Sequence, residues 1–335
     1  MSVSAELLRL GLRWTLKRAD QRRRAAGRCD EAWVQAARER IEVINRLVQN
    51  PPKGTQAISL NADGVKAVRI TTPESRGDRY ILYLHGGAYA FGSPETYRNF
   101  IWRIAAATSA SVLFISYRLA PEHPFPAALD DAVKAYSWLL AESAVAPRVA
   151  VMDASSGGGL VFATLLRLRD EGLPLPAAAV ALSPRTDLAL TGASVQKNAD
   201  ADPLLTVEGA ASFASCYAAG ADPFNPYVSP LYGDPAGLPP TFIQVGSDEI
   251  LLDDSVRMAE KLRAAGCHVE IEIWPRMPHV WQLYARFVPE ARQAIERIGA
   301  FVQRWVDVPA CRDPGDAEAI PQKGEGTRAA VLSVG

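Results

Sequence analysis

Between residues 57 and 306 the chain alternates short runs of β-branched and aromatic residues with longer stretches of helical periodicity. The runs are AVRIT (67–71), YILYLH (80–85), SVLFISY (111–117), RVAVMD (148–153), AAVALS (178–183), FIQVG (242–246) and VEIEIW (269–274). Several are apolar at successive positions, the pattern of central strands covered on both faces. The stretches 126–144, 156–171, 253–265 and 287–306 predict helices. In the last, Phe287, Ala291, Ala294, Ile298, Phe301 and Trp305 share one face. Alternation of this kind predicts an α/β fold with a mostly parallel sheet.

Three segments break the rhythm. Residues 1–50 read as helical and precede the first strand, and residues 186–240, rich in Ala, Asp and Pro, interrupt the alternation. Both are expected to fold over one edge of the sheet. The tail 308–335 has no periodicity and many breakers, and is expected to be disordered. Arg9, Arg13, Lys17, Arg18, Arg22, Arg23, Arg24 and Arg28 interleave with Leu7, Leu8, Leu10, Leu12, Trp14 and Leu16. A covering helix with a wet basic side is favoured over a membrane-surface helix.

With 335 residues, 48% of them hydrophobic, the chain can bury a substantial core. Its 36 basic and 37 acidic residues nearly cancel, so no nucleic acid or other polyanionic partner is expected. No uninterrupted apolar stretch approaches the ~18 residues of a membrane span, so no stable membrane insertion is expected. Arg9 interrupts the early apolar run and no A-x-A site follows, so no secretory leader is expected and the cytoplasm is the default. Cys29, Cys216, Cys267 and Cys311 lack C-x-x-C spacing and read as buried or idle thiols.

The candidate chemistry gathers in three places. VMDASSGGGL (151–160) ends a strand and opens a helix, close to the G-x-S-x-G turn that lifts a serine above a sheet edge. Ser155, with Gly157 two positions on, fits the nucleophile's place better than Ser156, because the strand ends at the usual distance upstream. No G-x-G-x-x-G or G-x-x-x-x-G-K-[ST] is present, which weakens a phosphate-binding reading of the glycines. HGGAY (85–89) follows another strand, and backbone N–H groups of such a loop can face a developing oxyanion. Of the four histidines, His279 in WPRMPHVW lies on the loop after a strand and is the best general base. His268 reads as structural, and His85 as a support of the glycine loop.

These elements together resemble the hormone-sensitive-lipase-like family of α/β-hydrolases, especially its bacterial esterase branch. The resemblance is carried by HGGAY (85–89), YRLAPEHPFPAAL (117–129), S-x-G-G-G-L (155–160), DADPLL (200–205), VGSDEILLDD (245–254) and MPHVW (277–281). Within that branch it is most similar to monoterpene ε-lactone hydrolases and related short-chain carboxylesterases. It implies an eight-stranded α/β-hydrolase core over residues 51–307. It also implies N-terminal cap helices over 1–50 and a cap insertion at about 186–225. The implied triad is Ser155, an acid and His279, with Gly86, Gly87, Ala88 and Ser156 forming the oxyanion hole. Glu249, four positions before Asp253, matches the spacing of the family's acid better than Asp248 does. The backbone of Gly87, Ala88 and Ser156 would donate while Gly86 gives the loop room, and Ala88 is tolerable there if its φ is negative. No cofactor or metal is expected. The implied partner is a small-molecule ester, and a homodimer is allowed for.

Two departures stand out. Asp153 occupies the place of the family's glycine two before the nucleophile, where its charge would oppose an oxyanion. Arg185, in SPRTDL, stands where relatives commonly carry Trp, either facing the pocket or as a surface cation. Tyr89, Phe213 and Trp281 are candidate pocket walls. The leading function is a serine carboxylesterase or lactone hydrolase. The alternatives are a weakened ligand-binding relative, motivated by Asp153, and an amidase or arylformamidase.

Overall fold

The computed structural model describes residues 1–17, 34, 35, 38, 51–142 and 146–306. An eight-stranded sheet organises them: β1 (Gln56–Ala62), β2 (Val65–Thr71), β3 (Tyr80–Tyr83), β4 (Ser111–Ser116), β5 (Val149–Ala154), β6 (Ala178–Leu182), β7 (Thr241–Gly246) and β8 (Val269–Trp274). Their spatial order is β1-β2-β4-β3-β5-β6-β7-β8. The strands from β3 onward pair in parallel, whereas β2 runs antiparallel to both β1 and β4. The sequence pattern missed β1, four of whose residues are exposed in succession. The signal for it was Asp63-Gly64, both with positive φ (52° and 90°), as a two-residue hairpin turn requires.

The described helices are α1 (Val3–Leu12), α2 (Pro94–Thr108), α3 (Ala127–Glu142), α4 (Ser156–Asp170), α5 (Ser194–Lys197), α6 (Val207–Ala218), α7 (Leu252–Ala264) and α8 (Pro289–Val306). Helix α2 was unread, although Ser93 and Pro94 are ordinary start signals; the Ser93 hydroxyl accepts from Thr96 N–H at 3.2 Å. Phe287, assigned above to the apolar face of the last helix, precedes α8 and is 63% exposed. Buried residues of that face begin at Ala291.

Period-two alternation in the strands feeds two cores. Tyr80 and Leu82 of β3 join α3, α4 and α7 on one face. Ile81 and Tyr83 join α2 and α8 on the other, where Ala5 of α1 also packs. Each large apolar side chain so buried contributes about 1.5–3 kcal/mol. Residues 186–225 carry α5 and α6, and Tyr217 of α6 enters the first core. The expectation of idle thiols fails at Cys216, which is disulfide-bonded. Its partner lies outside the described residues, as do Cys29 and Cys311; Cys267 is free. The tail 308–335 likewise falls outside the described residues. No described helix is long and apolar enough to cross a membrane.

Candidate active site

The loops beyond the C-terminal ends of β3, β5, β7 and β8 carry the expected chemistry, the usual place for it in parallel sheets. Ser155 follows β5 with φ 57° and ψ −125°, a strained turn that sets it before α4. Its N–H donates to Leu182 O at 2.8 Å and its carbonyl accepts from Arg185 N–H at 2.9 Å. The Ser155 side chain does not cap α4. The neighbouring Ser156 is fully buried, and its hydroxyl accepts from Tyr89 N–H at 3.2 Å. Of the two, only Ser155 keeps a hydroxyl with no hydrogen bond among the described residues.

Glu249 and His279 meet on the loops after β7 and β8. His279 Nδ1 donates to Glu249 Oε2 at 2.7 Å, which leaves Nε2 as the basic nitrogen. Glu249 is completely buried, and its other oxygen accepts from Ser183 Oγ at 2.7 Å and from Gly246 N–H at 2.6 Å. Asp248 instead accepts from Arg9 Nη1 at 2.7 Å and from Ser247 Oγ at 2.8 Å. Geometry thus pairs Glu249, not Asp248, with the imidazole.

The glycine loop differs from expectation at Ala88. Its φ is 54°, between Gly87 at 118° and Tyr89 at 60°, so the residue sits in the left-handed region rather than at negative φ. The cause is a tight turn in which Gly87 O accepts the N–H groups of Ala90 and Phe91 at 2.9 and 3.0 Å. A Cβ at Gly87 would lie 1.9 Å from Phe91 O, so glycine is required there. The N–H groups of Gly87 and Ala88 find no backbone partner among the described residues. The first N–H groups of α4, Ser156 included, are orphaned by helix geometry. Beneath the loop, His85 is fully buried and stacked on Tyr117 at 4.0 Å. Its Nδ1 donates to Gly86 O at 2.9 Å, and burial pushes its pKa down to about 4, so it supports the loop as a neutral ring. His268 is solvent-facing beside Glu270.

Asp153 is fully buried, and burial drives its carboxyl well above the usual carboxylate range. The neutral form is favoured, so the expected clash with an oxyanion is removed. The acid fits because residue 157 is glycine: a Cβ there would lie 1.5 Å from Asp153 Oδ2. Tyr89 is stacked on Tyr217 of α6 at 3.6 Å, and Phe213 meets Phe91 edge-on at 5.7 Å. Trp281, expected as a wall, instead packs in the second core, 5.6 Å from Trp274.

Comparison with known proteins identifies the family. A family model described as alpha/beta hydrolase fold matches residues 81–283. The chain belongs to the alpha/beta hydrolase family. An acetyl-hydrolase of Streptomyces hygroscopicus is 46% identical over 231 residues, 69% of this chain and 77% of that protein. A crystal structure of an esterase from the bacterial hormone-sensitive lipase family superposes with TM-score 0.83 at 41% identity, covering 91% of this chain and 99% of the other. EstE5, solved after soaking with p-nitrophenyl butyrate, gives 0.84 at 36% identity, covering 92% and 100%.

Residues that the sequence did not disclose complete this hydrolase's site. Besides Ser183, Asn198 Nδ2 donates to the carbonyls of Ser247 and Glu249 at 3.1 and 2.8 Å. Asp202 accepts from Ile250 N–H at 3.0 Å. From α1, Arg9 Nη1 donates to Asp248 and to Arg276 O, both at 2.7 Å, so one guanidinium ties the Glu249 loop to the His279 loop. The one sequence signal was DADPLL, whose Asp202 is this acceptor; Arg9 had only its place in a basic helix.

Proposed function

We propose that this esterase cleaves carboxylic esters through an acyl-enzyme on Ser155. The observation that carries the reading is the buried 2.7 Å hydrogen bond between His279 and Glu249, on the loops after β7 and β8. Ser155 Oγ attacks the ester carbonyl while His279 Nε2 takes its proton, and the imidazolium is stabilised by Glu249. The N–H groups of Gly87, Ala88 and Ser156 receive the oxyanion, and losing one such donor costs about 3–4 kcal/mol. Collapse expels the alcohol with the proton from His279. Water then attacks the acyl group by the same route, and no cofactor or metal enters. The Ser155 hydroxyl makes no hydrogen bond among the described residues; nucleophile–base contacts commonly tighten only when substrate binds.

In this reading the core runs from 51 to 307 and is capped by the N-terminal segment 1–50 and by about 186–225; most of 18–50, and residue 307, lie outside the described residues. The acetyl-hydrolase relative and the p-nitrophenyl butyrate soak of EstE5 support short acyl chains, and lactones are carried from the sequence resemblance. A homodimer and a cytoplasmic site remain expectations of the sequence alone. The disulfide at Cys216 weighs against the second, because such bonds persist in oxidising compartments. The test is hydrolysis of p-nitrophenyl butyrate with fluorophosphonate labelling. Ser155→Ala is expected to lose both, and Ser156→Ala to keep labelling. Turnover retained in Ser155→Ala overturns the assignment.

A further inference from the structure

Acyl transfer by Ser155 and His279 makes no use of the guanidinium of Arg185, yet that cation is built into the site. Arg185 is 4% exposed, and its N–H donates to the carbonyl of Ser155. Its own carbonyl lies against the first turn of α4: a Cβ on Gly159 would sit 2.1 Å from Arg185 O and 2.9 Å from Tyr89 Oη. From this anchor the side chain reaches α6, where Nη2 donates to Ala210 O at 2.5 Å. The residue thus joins the serine to the helix above it, its backbone N–H on the Ser155 carbonyl and its guanidinium on Ala210 O.

Its charge is not neutralised there. Arg185 makes no ion pair among the described residues, and its buried Nε has no hydrogen-bond partner. Of the carboxylates that bear on it, Asp187 is committed to Arg257, whereas Asp254 keeps Oδ1 without a partner yet makes no ion pair with Arg185 among the described residues. Asp254 Oδ2 accepts from Thr186 and Asp187 N–H groups at 2.8 and 2.9 Å. Asp187 pairs with Arg257 at 3.1 Å and accepts from Ala189, Thr191 and Tyr232. A buried, unpaired cation is expensive, and desolvation outweighs what these acids return. A substrate that supplies the missing anion would recover that cost on binding.

We infer that Arg185 is a specificity residue for esters carrying a free carboxylate, such as hemiesters of short dicarboxylic acids. This rests on the reading of Ser155 as nucleophile. An Arg–carboxylate contact of this kind forms charge-assisted, often paired hydrogen bonds, stronger than neutral ones. Nothing in the sequence alone distinguished this arrangement from a surface cation.

The test compares monomethyl glutarate with methyl pentanoate, esters of the same acyl-chain length with and without the anion, by pH-stat at neutral pH. The wild type is expected to favour monomethyl glutarate in kcat/KM. Arg185→Leu should lower that ratio by about ten- to hundred-fold, the range for a hydrogen bond to a charged group. Arg185→Lys, which keeps the charge, should retain part of the preference and covers the case in which the leucine variant does not fold. A residue that merely clamps α6 would lower both rates in proportion. An unchanged ratio in the variants, or a wild-type preference for methyl pentanoate, overturns the inference. Loss of methyl pentanoate turnover in Ser155→Ala checks the nucleophile separately, so failure of one reading is distinguishable from failure of the other.

Discussion

Asp153 shows how a residue that looks disabling in the sequence becomes tolerable in place. Its carboxyl takes the space that Gly157 leaves empty and is pushed toward the neutral form by burial. A folded-state pKa raised above the unfolded value near 3.9 has a defined sign. The stabilising contribution is whole below that value and is lost as pH rises toward the folded pKa, because the unfolded chain sheds its proton first. Asp153→Asn has no such proton. Its stability relative to wild type should therefore climb above about pH 4, by up to ~1.4 kcal/mol per pH unit. Urea unfolding of both proteins at about pH 5 and about pH 7 checks this; parallel curves would mean that the carboxyl ionises normally. The acids after β7 make a second contrast. Glu249→Gln should lower kcat roughly 10³–10⁴-fold, as when a triad acid is neutralised, whereas Asp248→Asn, which loses only the contact to Arg9, should cost far less. The second variant removes the charge that Arg9 meets and leaves the Glu249–His279 bond in place; ester kinetics on the two variants decide it, and equal losses would dissolve the assignment. Ser155, Glu249 and His279 were legible because motif spacing records them. The φ of Ala88 was not, since it follows from hydrogen bonds to Gly87 O that no composition encodes.

At the scale of elements, periodicity located seven strands and four helices to within a few residues, because buried faces impose it. It failed where burial is one-sided or local. Strand β1 is largely exposed, and α2 announces itself only through its Ser-Pro start. The role of α1 was hidden for a different reason: the contact from Arg9 to Asp248 joins positions 239 residues apart. Because Arg9 holds the loops of Glu249 and His279 together, Arg9→Met should lower kcat several-fold while KM for p-nitrophenyl butyrate changes little. A charge-assisted bond of this kind is worth about 1.5–3 kcal/mol, so the melting temperature should fall as well. An unchanged kcat would reduce Arg9 to a surface contact. Its partner Asp248 is only partly shielded, so high salt should weaken the wild type toward the variant.

Across the whole molecule, stability and chemistry occupy different layers. The central parallel strands are buried on both faces, with every residue of β3, β5, β6 and β7 buried, whereas the edge strand β8 is half-buried. Helix α6, by contrast, buries only Ala214, Cys216 and Tyr217 and meets the rest of the site through Arg185, the Tyr89–Tyr217 stack, the Phe91–Phe213 contact and the Phe125 N–H bond to Tyr217 O. Local opening free energy follows buried apolar contact, so segments poor in it open without global unfolding. Amides of α6 should accordingly exchange with solvent at least about a hundred-fold faster than those of β5 and β6. Hydrogen exchange followed by mass spectrometry measures this directly. Removing one of these ties, by Tyr217→Ala, should widen the gap by speeding α6 alone. Equal protection of α6 and the strands would mean that the helix opens only with the core, and that substrate must enter without its movement.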